Sequence, residues 1–290
     1  MMAEENQKQN HPALPLKPQL FFKELSERPA IDFKLNPKNW FGYKKLENGD
    51  LFIEWFKHFS FLVKSGGLSI TCFCNGENLQ VSTYLWTQVF SFALLEQGFE
   101  SLHGTQISKD DITLAFIGDC GRGKSTLASH FISKGWQLIG DDLIVFNRTG
   151  FTESTPNTLY CYPGDPYLKL QPRIMNRYFA DAENTVVLNR FTKKKIIAFT
   201  PHSFTPRPLT RIFYINRPNK NMSIRKLTKL ESFWVLNENV FNTVDFNQAR
   251  KKVLFTWLTE INARANVSEL NYPRNFKILD QLEDQIYSVL

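Results

Sequence analysis

The sequence predicts an α/β fold built around a phosphate-binding loop, preceded by a smaller α+β region. Three observations lead to this class. An apolar run over residues 112–117 is typical of a buried strand, and a glycine-rich loop follows it directly. A helix is expected over 126–132, and the next apolar run leads to Asp141 and Asp142. Strand, glycine loop and helix in this order form the setting in which such a loop binds phosphate.

The length and composition allow one large domain or two smaller ones. The chain has 290 residues, 42% of them hydrophobic, so it can bury a sizeable core. We predict a disordered polar tail over residues 1–18, an N-terminal α+β region over 19–100 and the P-loop domain over 101–290.

Targeting signals and a disulfide framework are not evident in the sequence. No apolar stretch approaches the ~20 residues that span a bilayer, and the first residues resemble neither a signal peptide nor a transit peptide. The four cysteines are expected to be reduced thiols, although Cys72 and Cys74 have a spacing that metal sites also use. We therefore expect a cytoplasmic protein without a membrane partner.

The N-terminal region reads as a small sheet followed by a helix. Residues 50–74 are aromatic and β-branched, and Ser65-Gly66-Gly67 divides them, which predicts a hairpin. Ser82 is a suitable N-cap for a helix that runs to Gln97 and stops at Gly98.

The loop itself fits the pattern G-x-x-x-x-G-K-[ST], which predicts a nucleoside triphosphate site. Glycines allow several backbone N–H groups to point at one anion, and the helix N-terminus adds its positive dipole end. Lys124 would reach the β- and γ-phosphates, and the Ser125 hydroxyl would bind Mg²⁺. The predicted nucleotide-binding residues are Gly118, Asp119, Cys120, Gly121, Arg122, Gly123, Lys124, Ser125 and Thr126.

The pair Asp141-Asp142 predicts Mg²⁺-dependent chemistry beside this loop. One carboxylate can hold the metal while its neighbour takes the proton of an attacking hydroxyl. The alternative is an ordinary turn between two strands, for which Gly-Asp-Asp is also suitable.

Further strands and helices are predicted downstream. The strands are expected over 186–188, 196–200, 209–215 and 222–225, and the helices over 172–179, 245–263 and 276–290. The helix over 245–263 has an apolar stripe that includes Phe246, Val253, Trp257 and Ile261.

Residues 184–230 contain eleven Lys and Arg residues but neither Asp nor Glu. Such a segment attracts anions. The candidate partners are nucleotide phosphates, an acidic peptide or protein, and nucleic acid. The fourth alternative is that the segment is ordinary solvated surface without a partner. Since the sequence carries no nucleic-acid-binding signature, no nucleic-acid partner is expected.

Four motifs in a fixed order resemble the catalytic core of HPr kinase/phosphorylase. They are Ser101-Leu102-His103-Gly104, the loop, Ser133-Lys134-Gly135-Trp136-Gln137-Leu138-Ile139, and Asp141-Asp142. Downstream of the acid pair, the chain also resembles the smaller HPr-kinase-like serine kinases of bacterial gene clusters, including lasso-peptide kinases. The motifs that carry this resemblance are Pro166-Tyr167-Leu168-Lys169-Leu170-Gln171-Pro172 and Pro208-Leu209-Thr210-Arg211-Ile212-Phe213.

The resemblance implies a fold of the phosphoenolpyruvate carboxykinase/HPr kinase type and phosphate transfer to a serine-type hydroxyl. Lys124 would then neutralise phosphate charge, Ser125 and Asp142 would attend Mg²⁺, and Asp141 would be the general base. His103 would lie near the γ-phosphate. Arg211 is a further candidate for holding the triphosphate or acidic groups of the substrate, as are Lys169 and Arg173. Cys120 in place of the usual loop serine is a mild departure, because backbone amides do the binding. Thr126 replaces the glutamate common after the loop, and the family's second glycine- and arginine-bearing signature is not evident. These two departures put in doubt both HPr as the substrate and a dephosphorylating activity.

The sequence therefore predicts an ATP- and Mg²⁺-dependent kinase that acts on a peptide or protein. The alternatives are a kinase of a small molecule, such as a free amino acid or sugar, and a nucleotide-binding regulator without turnover. The phosphodonor (ATP, GTP or pyrophosphate) and the oligomeric state stay open, with a homo-oligomer among the possibilities.

Overall fold

The structure is a computed structural model, and it describes most of the chain outside the first fourteen residues. The described residues are 15–31, 42–55, 58–75, 81, 84–149, 157–182, 185–187, 194–200, 205–216, 221–243 and 248–290. Most of the predicted tail, the predicted N-cap Ser82, and Phe246 of the helix predicted over 245–263 lie outside these residues. None of the helices within the described ranges is long and apolar enough to cross a membrane.

The N-terminal region contains a five-stranded sheet with the order β1-β5-β4-β3-β2. β1 pairs with β5 in parallel, and the remaining neighbours are antiparallel. The hairpin predicted over 50–74 is confirmed as β4 and β5, which turn through Gly66 and Gly67. The strands are β1 (Gln19–Lys23), β2 (Gly42–Lys45), β3 (Leu51–Trp55), β4 (Phe59–Val63) and β5 (Ser69–Cys74).

One helix covers this sheet and connects it to the rest of the chain. A π-helical turn, Leu85–Val89, continues into α1 (Phe90–Glu96), and Gly98 follows with a φ of +87°. A Cβ on Gly67 would lie 2.1 Å from the Ala93 carbonyl oxygen, so the hairpin turn packs directly on α1. The aromatic core of the region includes Trp55, whose ring lies 5.0 Å from that of Tyr84.

A seven-stranded mixed sheet forms the centre of the remaining chain. Its order is β16-β17-β15-β7-β6-β8, and β9 pairs with the first half of the long strand β6. β7 and β17 flank β15 in parallel, whereas β6 is antiparallel to β7, β8 and β9. The strands are β6 (Phe99–Lys109), β7 (Ile112–Ile117), β8 (Gln137–Gly140), β9 (Leu143–Asn147), β15 (Arg211–Ile215), β16 (Ser223–Lys226) and β17 (Val267–Asn271).

Helices pack on both faces of this sheet. One core groups Phe116 with apolar residues of α2 and α6, and the other buries Leu254, Trp257, Leu258 and Ile261 of α5. The helices are α2 (Lys124–Ser133), α3 (Pro172–Tyr178), α4 (Lys229–Glu238), α5 (Gln248–Arg264) and α6 (Leu279–Tyr287). A mixed α/β architecture is thus present, as predicted.

Among the described residues, five shorter strands lie outside these two sheets. β10 (Tyr160–Cys161) pairs with β14 (Arg207–Pro208), and β13 (Lys195–Ala198) lies between β11 (Tyr167–Leu170) and β12 (Thr185–Val187). The predicted downstream elements agree with the structure to within a few residues. Helix α4 was not predicted from the sequence, and neither was β17. Its Ser268 and Glu269 interrupt the apolar pattern, and pairing with β15 and β16 stabilises it instead.

Candidate active site

The glycine-rich loop connects the end of β7 to the start of α2. Three of its glycines have positive φ angles, 138° at Gly118, 80° at Gly121 and 106° at Gly123. A Cβ on Gly118 would lie 2.6 Å from the Ile215 carbonyl oxygen on the neighbouring strand β15. Glycine is therefore required there both by conformation and by close backbone approach.

Lys124 is the first residue of α2, and its side chain folds back over the loop. Its Nζ donates to the Gly118 carbonyl oxygen at 2.6 Å and to the Asp119 carbonyl oxygen at 3.2 Å. The residue is only 8% exposed. Burial lowers the pKa of Lys124, and the nearby charge of Asp141 opposes that shift. The ammonium group is therefore already positioned inside the loop.

Asp141 and Asp142 form the tight turn between β8 and β9. Asp142 has a φ of +66°, in the left-handed region that Asp tolerates in turns. The Asp141 carboxylate accepts hydrogen bonds from Thr105 Oγ1 at 2.5 Å and from the Lys169 backbone N–H at 3.3 Å. Ser125 Oγ lies 3.4 Å from each of its two oxygens. The loop and the acid pair are thus in contact.

Lys169 pairs with the second acid. Its Nζ lies 2.6 Å from Asp142 Oδ2, and both side chains are largely buried. The resemblance to HPr kinase/phosphorylase implies that Ser125 and Asp142 share the metal, whereas Ser125 Oγ lies close to the carboxylate of Asp141. All three oxygen-bearing side chains nevertheless belong to one site, because the two acids are adjacent.

The two acids have opposite electrostatic environments. Burial, together with the charge of Asp142, raises the pKa of Asp141 to about 6. Burial also disfavours the charged form of Asp142, but the charge and hydrogen bond of the Lys169 ammonium, together with other nearby positive charge such as that of Lys194, hold the pKa of Asp142 below its ordinary value. Neighbouring acids with separated pKa values can take different roles, one as a proton acceptor and one as a permanent anion.

His103 lies on β6 beside the acid turn. The backbone N–H of the next residue, Gly104, donates to the Asp142 carbonyl oxygen at 3.2 Å. A Cβ on Gly104 would lie 2.6 Å from the Phe116 carbonyl oxygen, which explains why glycine follows the histidine. Burial and the charge of Lys124 lower the pKa of His103 to about 4, so the imidazole is neutral at pH 7. The structure therefore brings His103 to the site as a neutral group.

The outer part of the loop is more exposed. Arg122 forms an ion pair with Asp119 at 2.7 Å, and Cys120 is exposed. Thr126 follows Ser125 in the first turn of α2, where it is half-buried.

Two residues that were not predicted from the sequence also lie at the loop. Arg274 Nη2 donates to the Gly121 carbonyl oxygen at 2.8 Å. The Tyr272 hydroxyl lies 2.9 Å from where a Cβ on Gly123 would be. Both residues follow β17, and no local motif marks them. Their proximity to the loop depends on β17 lying beside β15, two strands from β7.

Arg211 does not lie at the loop, contrary to the sequence-based expectation. It begins β15, where it pairs in register with Leu114 rather than with the last residue of β7. Leu114 lies four residues before Gly118, which corresponds to roughly 13 Å of strand. Arg211 Nη1 donates to Ser268 Oγ at 2.9 Å on β17. Arg173 is exposed on α3. Of the three basic candidates, Lys169 is the one whose side chain contacts an acid of the pair.

The basic segment over 184–230 divides into different environments. The positive charge of Lys194 acts on both His103 and Asp142. Arg225 instead pairs with Glu231 and Glu269, and Lys229 donates to carbonyl oxygens of α5. These last two residues therefore have partners on the surface of the fold.

The oxygen donors at the acid turn fit a hard divalent cation. Ser125, Asp141 and Asp142 supply a hydroxyl and two carboxylates, the ligand type that Mg²⁺ prefers. A second group of possible ligands, His130, Asp280 and Glu283, lies toward the far end of α2. There Lys134 Nζ already holds Asp280 at 2.8 Å, so an ion-pair network between α2 and α6 explains that group.

Comparisons with known proteins give one short sequence match. The HPr kinase/phosphorylase of Prosthecochloris aestuarii is 33% identical over 52 residues, which are 18% of this chain and 15% of that protein. Among solved structures, the HPr(Ser) kinase/phosphatase from Coxiella burnetii aligns over 65% of this chain and 95% of its own. That alignment has 14% identity and a TM-score of 0.34. No family model matches the chain. The sequence match confirms the resemblance to HPr kinase/phosphorylase that the motifs predict, over less than a fifth of the chain.

Proposed function

We propose that this protein is an ATP- and Mg²⁺-dependent kinase that transfers the γ-phosphate to a serine-type hydroxyl of a peptide or protein. The contact between the two halves of the site carries the proposal. Ser125 of the loop lies 3.4 Å from both carboxylate oxygens of Asp141. A triphosphate on the loop would therefore present its terminal phosphate to the acid turn.

The loop would bind the phosphates through backbone N–H groups and the positive end of the α2 dipole. Lys124 would leave its two carbonyl acceptors to neutralise charge on the β- and γ-phosphates. Arg274 would support the outer loop through the Gly121 carbonyl. Arg122 and Asp119 would remain on the rim as an ion pair.

Ser125 and Asp142 would hold Mg²⁺, with Asp141 within reach of the same position. The ion would supply positive charge to the transferring phosphate. Asp142 suits this role because Lys169 already keeps its carboxylate ionised. The lysine would also balance the charge of the acid pair when no cation is bound.

Asp141 would accept the proton of the attacking hydroxyl. The hydroxyl O–H bond breaks as the new O–P bond forms, and the bond from the γ-phosphorus to the leaving ADP oxygen breaks. A base with a pKa of about 6 is well matched to neutral pH. Thr105 and the Lys169 backbone would orient its carboxylate, and the neutral His103 would help to position the nucleophile.

The N-terminal region over 19–100 and the P-loop domain over 101–290 are proposed as two parts of one enzyme. A regulator without turnover is disfavoured, since Lys124, Ser125 and both acids are all present in the sequence. The test is ATP turnover by the full chain with Mg²⁺ and with EDTA, each with and without free serine. Mg²⁺-dependent turnover that free serine does not stimulate would support a peptide or protein acceptor. Stimulation by serine would favour a small-molecule kinase. The absence of both turnover and nucleotide binding would refute the proposal.

A further inference from the structure

A cavity of about 120 Å³ lies beside the acid turn, between the N-terminal helix and strand β9. Asp141 is part of its wall, and so the cavity adjoins the site at which we place the proton transfer. The rest of the wall is mainly apolar, and it includes Trp86, Phe90, Leu94, Leu143 and Val145.

A short strap from the start of the described chain forms another part of the wall. Lys17 Nζ lies 4.9 Å from the centre of the Trp86 ring and 3.0 Å from Asp165 Oδ1. The backbone N–H and carbonyl of Leu16 both hydrogen-bond to the Gln97 side chain, at 2.7 and 2.9 Å. The cavity is therefore built jointly by the N-terminal region and the sheet that carries the acids.

We propose that this cavity holds one apolar side chain of the acceptor, from a residue next to the one that is phosphorylated. The inference rests on the proposed function, because it uses Asp141 as the group that meets the accepting hydroxyl. The N-terminal region would then contribute much of the surface that recognises the acceptor.

The size of the cavity indicates its occupant. Pockets for whole small-molecule ligands are typically about 300–1,000 Å³, whereas an apolar cavity of about 150 Å³ accommodates benzene. A cavity of about 120 Å³ thus suits a single side chain of the leucine or phenylalanine class. The rest of the acceptor would lie outside, past the Lys17–Asp165 pair.

The composition of the wall gives the expected specificity. Burial of a large apolar side chain strengthens binding by at least about tenfold relative to glycine. An acidic side chain would be disfavoured, since Asp141 in the same wall carries like charge once ionised.

Binding of two dipeptide probes tests the inference on the full chain. N-acetyl-Ser-Phe-amide and N-acetyl-Ser-Gly-amide would each be titrated in the presence of Mg²⁺ and a non-hydrolysable ATP analogue. We expect the phenylalanine probe to bind at least about tenfold more tightly. Phe90→Ser should remove that preference, because Phe90 is a partly exposed wall residue. Phe22→Ser is the matched control, since Phe22 is 63% exposed on β1 and outside the cavity.

Nucleotide affinity, measured with a fluorescent ATP analogue, separates the two proposals. Equal affinity for the two probes with normal nucleotide binding would overturn the cavity assignment and leave the kinase proposal standing. A wild-type chain that binds no nucleotide would overturn the kinase proposal and the acceptor role together. If Phe90→Ser does not fold, Trp86→Ser provides the same comparison at a second partly exposed wall position. A preference that survives in a folded wall variant would also overturn the inference.

Discussion

Lys169 Nζ lies 2.6 Å from Asp142 Oδ2, although 27 residues separate the two along the chain. The lysine comes from β11, and the acid comes from the turn between β8 and β9. Because its backbone N–H also bonds Asp141, Lys169 contacts both acids of the candidate site. This pairing keeps one carboxylate ionised while its neighbour has a raised pKa.

The first prediction concerns Lys169. Lys169→Met should reduce the free energy of unfolding by about 1–3 kcal/mol without Mg²⁺, because the largely buried Asp142 carboxylate loses its hydrogen-bond partner. Added Mg²⁺ should restore much of this loss, measured by thermal denaturation. Lys134→Met is the control, since its pair with Asp280 is exposed and should contribute much less to stability. Equal losses in both variants, insensitive to Mg²⁺, would contradict a cation site at Asp142.

The second prediction concerns Lys124. Lys124→Met should weaken the affinity for ATP by at least about tenfold, since the phosphates lose a charge-assisted hydrogen bond. Calorimetric titration measures this loss. The lysine is buried against the loop, so a thermal melt is needed to establish that the variant remains folded. Unchanged affinity in a folded variant would argue against a phosphate site on this loop.

The third prediction separates the two acids. Asp141→Asn should leave ATP binding nearly unchanged and lower kcat by about 10²–10⁴-fold, the usual effect of removing a general base. Asp142→Asn should instead raise the Mg²⁺ concentration needed for half-maximal turnover. If Asp141→Asn loses Mg²⁺ affinity and Asp142→Asn loses only rate, the two roles are reversed. The contacts of Ser125 with Asp141 make this comparison necessary.

The fourth prediction is a pH dependence that follows from the same residue. Since Asp141 must be deprotonated to accept a proton, kcat/KM should rise with pH through about 6 and level off above it. His103 should add no ionisation near neutral pH, because its pKa is lowered to about 4. A pH profile that is flat from pH 5 to 7 would speak against Asp141 as the base.

The fifth prediction contrasts two arginines. Arg274→Ala should weaken nucleotide affinity by about fivefold, the effect of one hydrogen bond of about 1 kcal/mol, because it supports the Gly121 carbonyl. Arg211→Ala should leave the affinity unchanged, since its recorded hydrogen bond is to Ser268 on β17. Titration of both variants with the same nucleotide measures the difference. A larger loss in Arg211→Ala would restore it as a phosphate ligand.

Local sequence was sufficient for the loop and the elements around it. The glycine loop, the strand before it and the helix after it could be predicted from residues that are neighbours in the sequence. The adjacency of Asp141 and Asp142 is likewise a property of the sequence, and the turn between two strands needs no distant partner. The short match to an HPr kinase/phosphorylase agrees with the family that these motifs predict.

Tertiary structure decided which other side chains reach the site. Thr105, Lys169 and Arg274 meet the acids or the loop because strand order and register bring β6, β11 and the end of β17 together. The same register moves Arg211 away, since a parallel strand that begins beside Leu114 keeps its first residue distant from the loop. Short-range patterns specify turns and helix ends, but they contain no information on which strands become neighbours. Pairing between distant strands settles that, and with it the surroundings of the two acids.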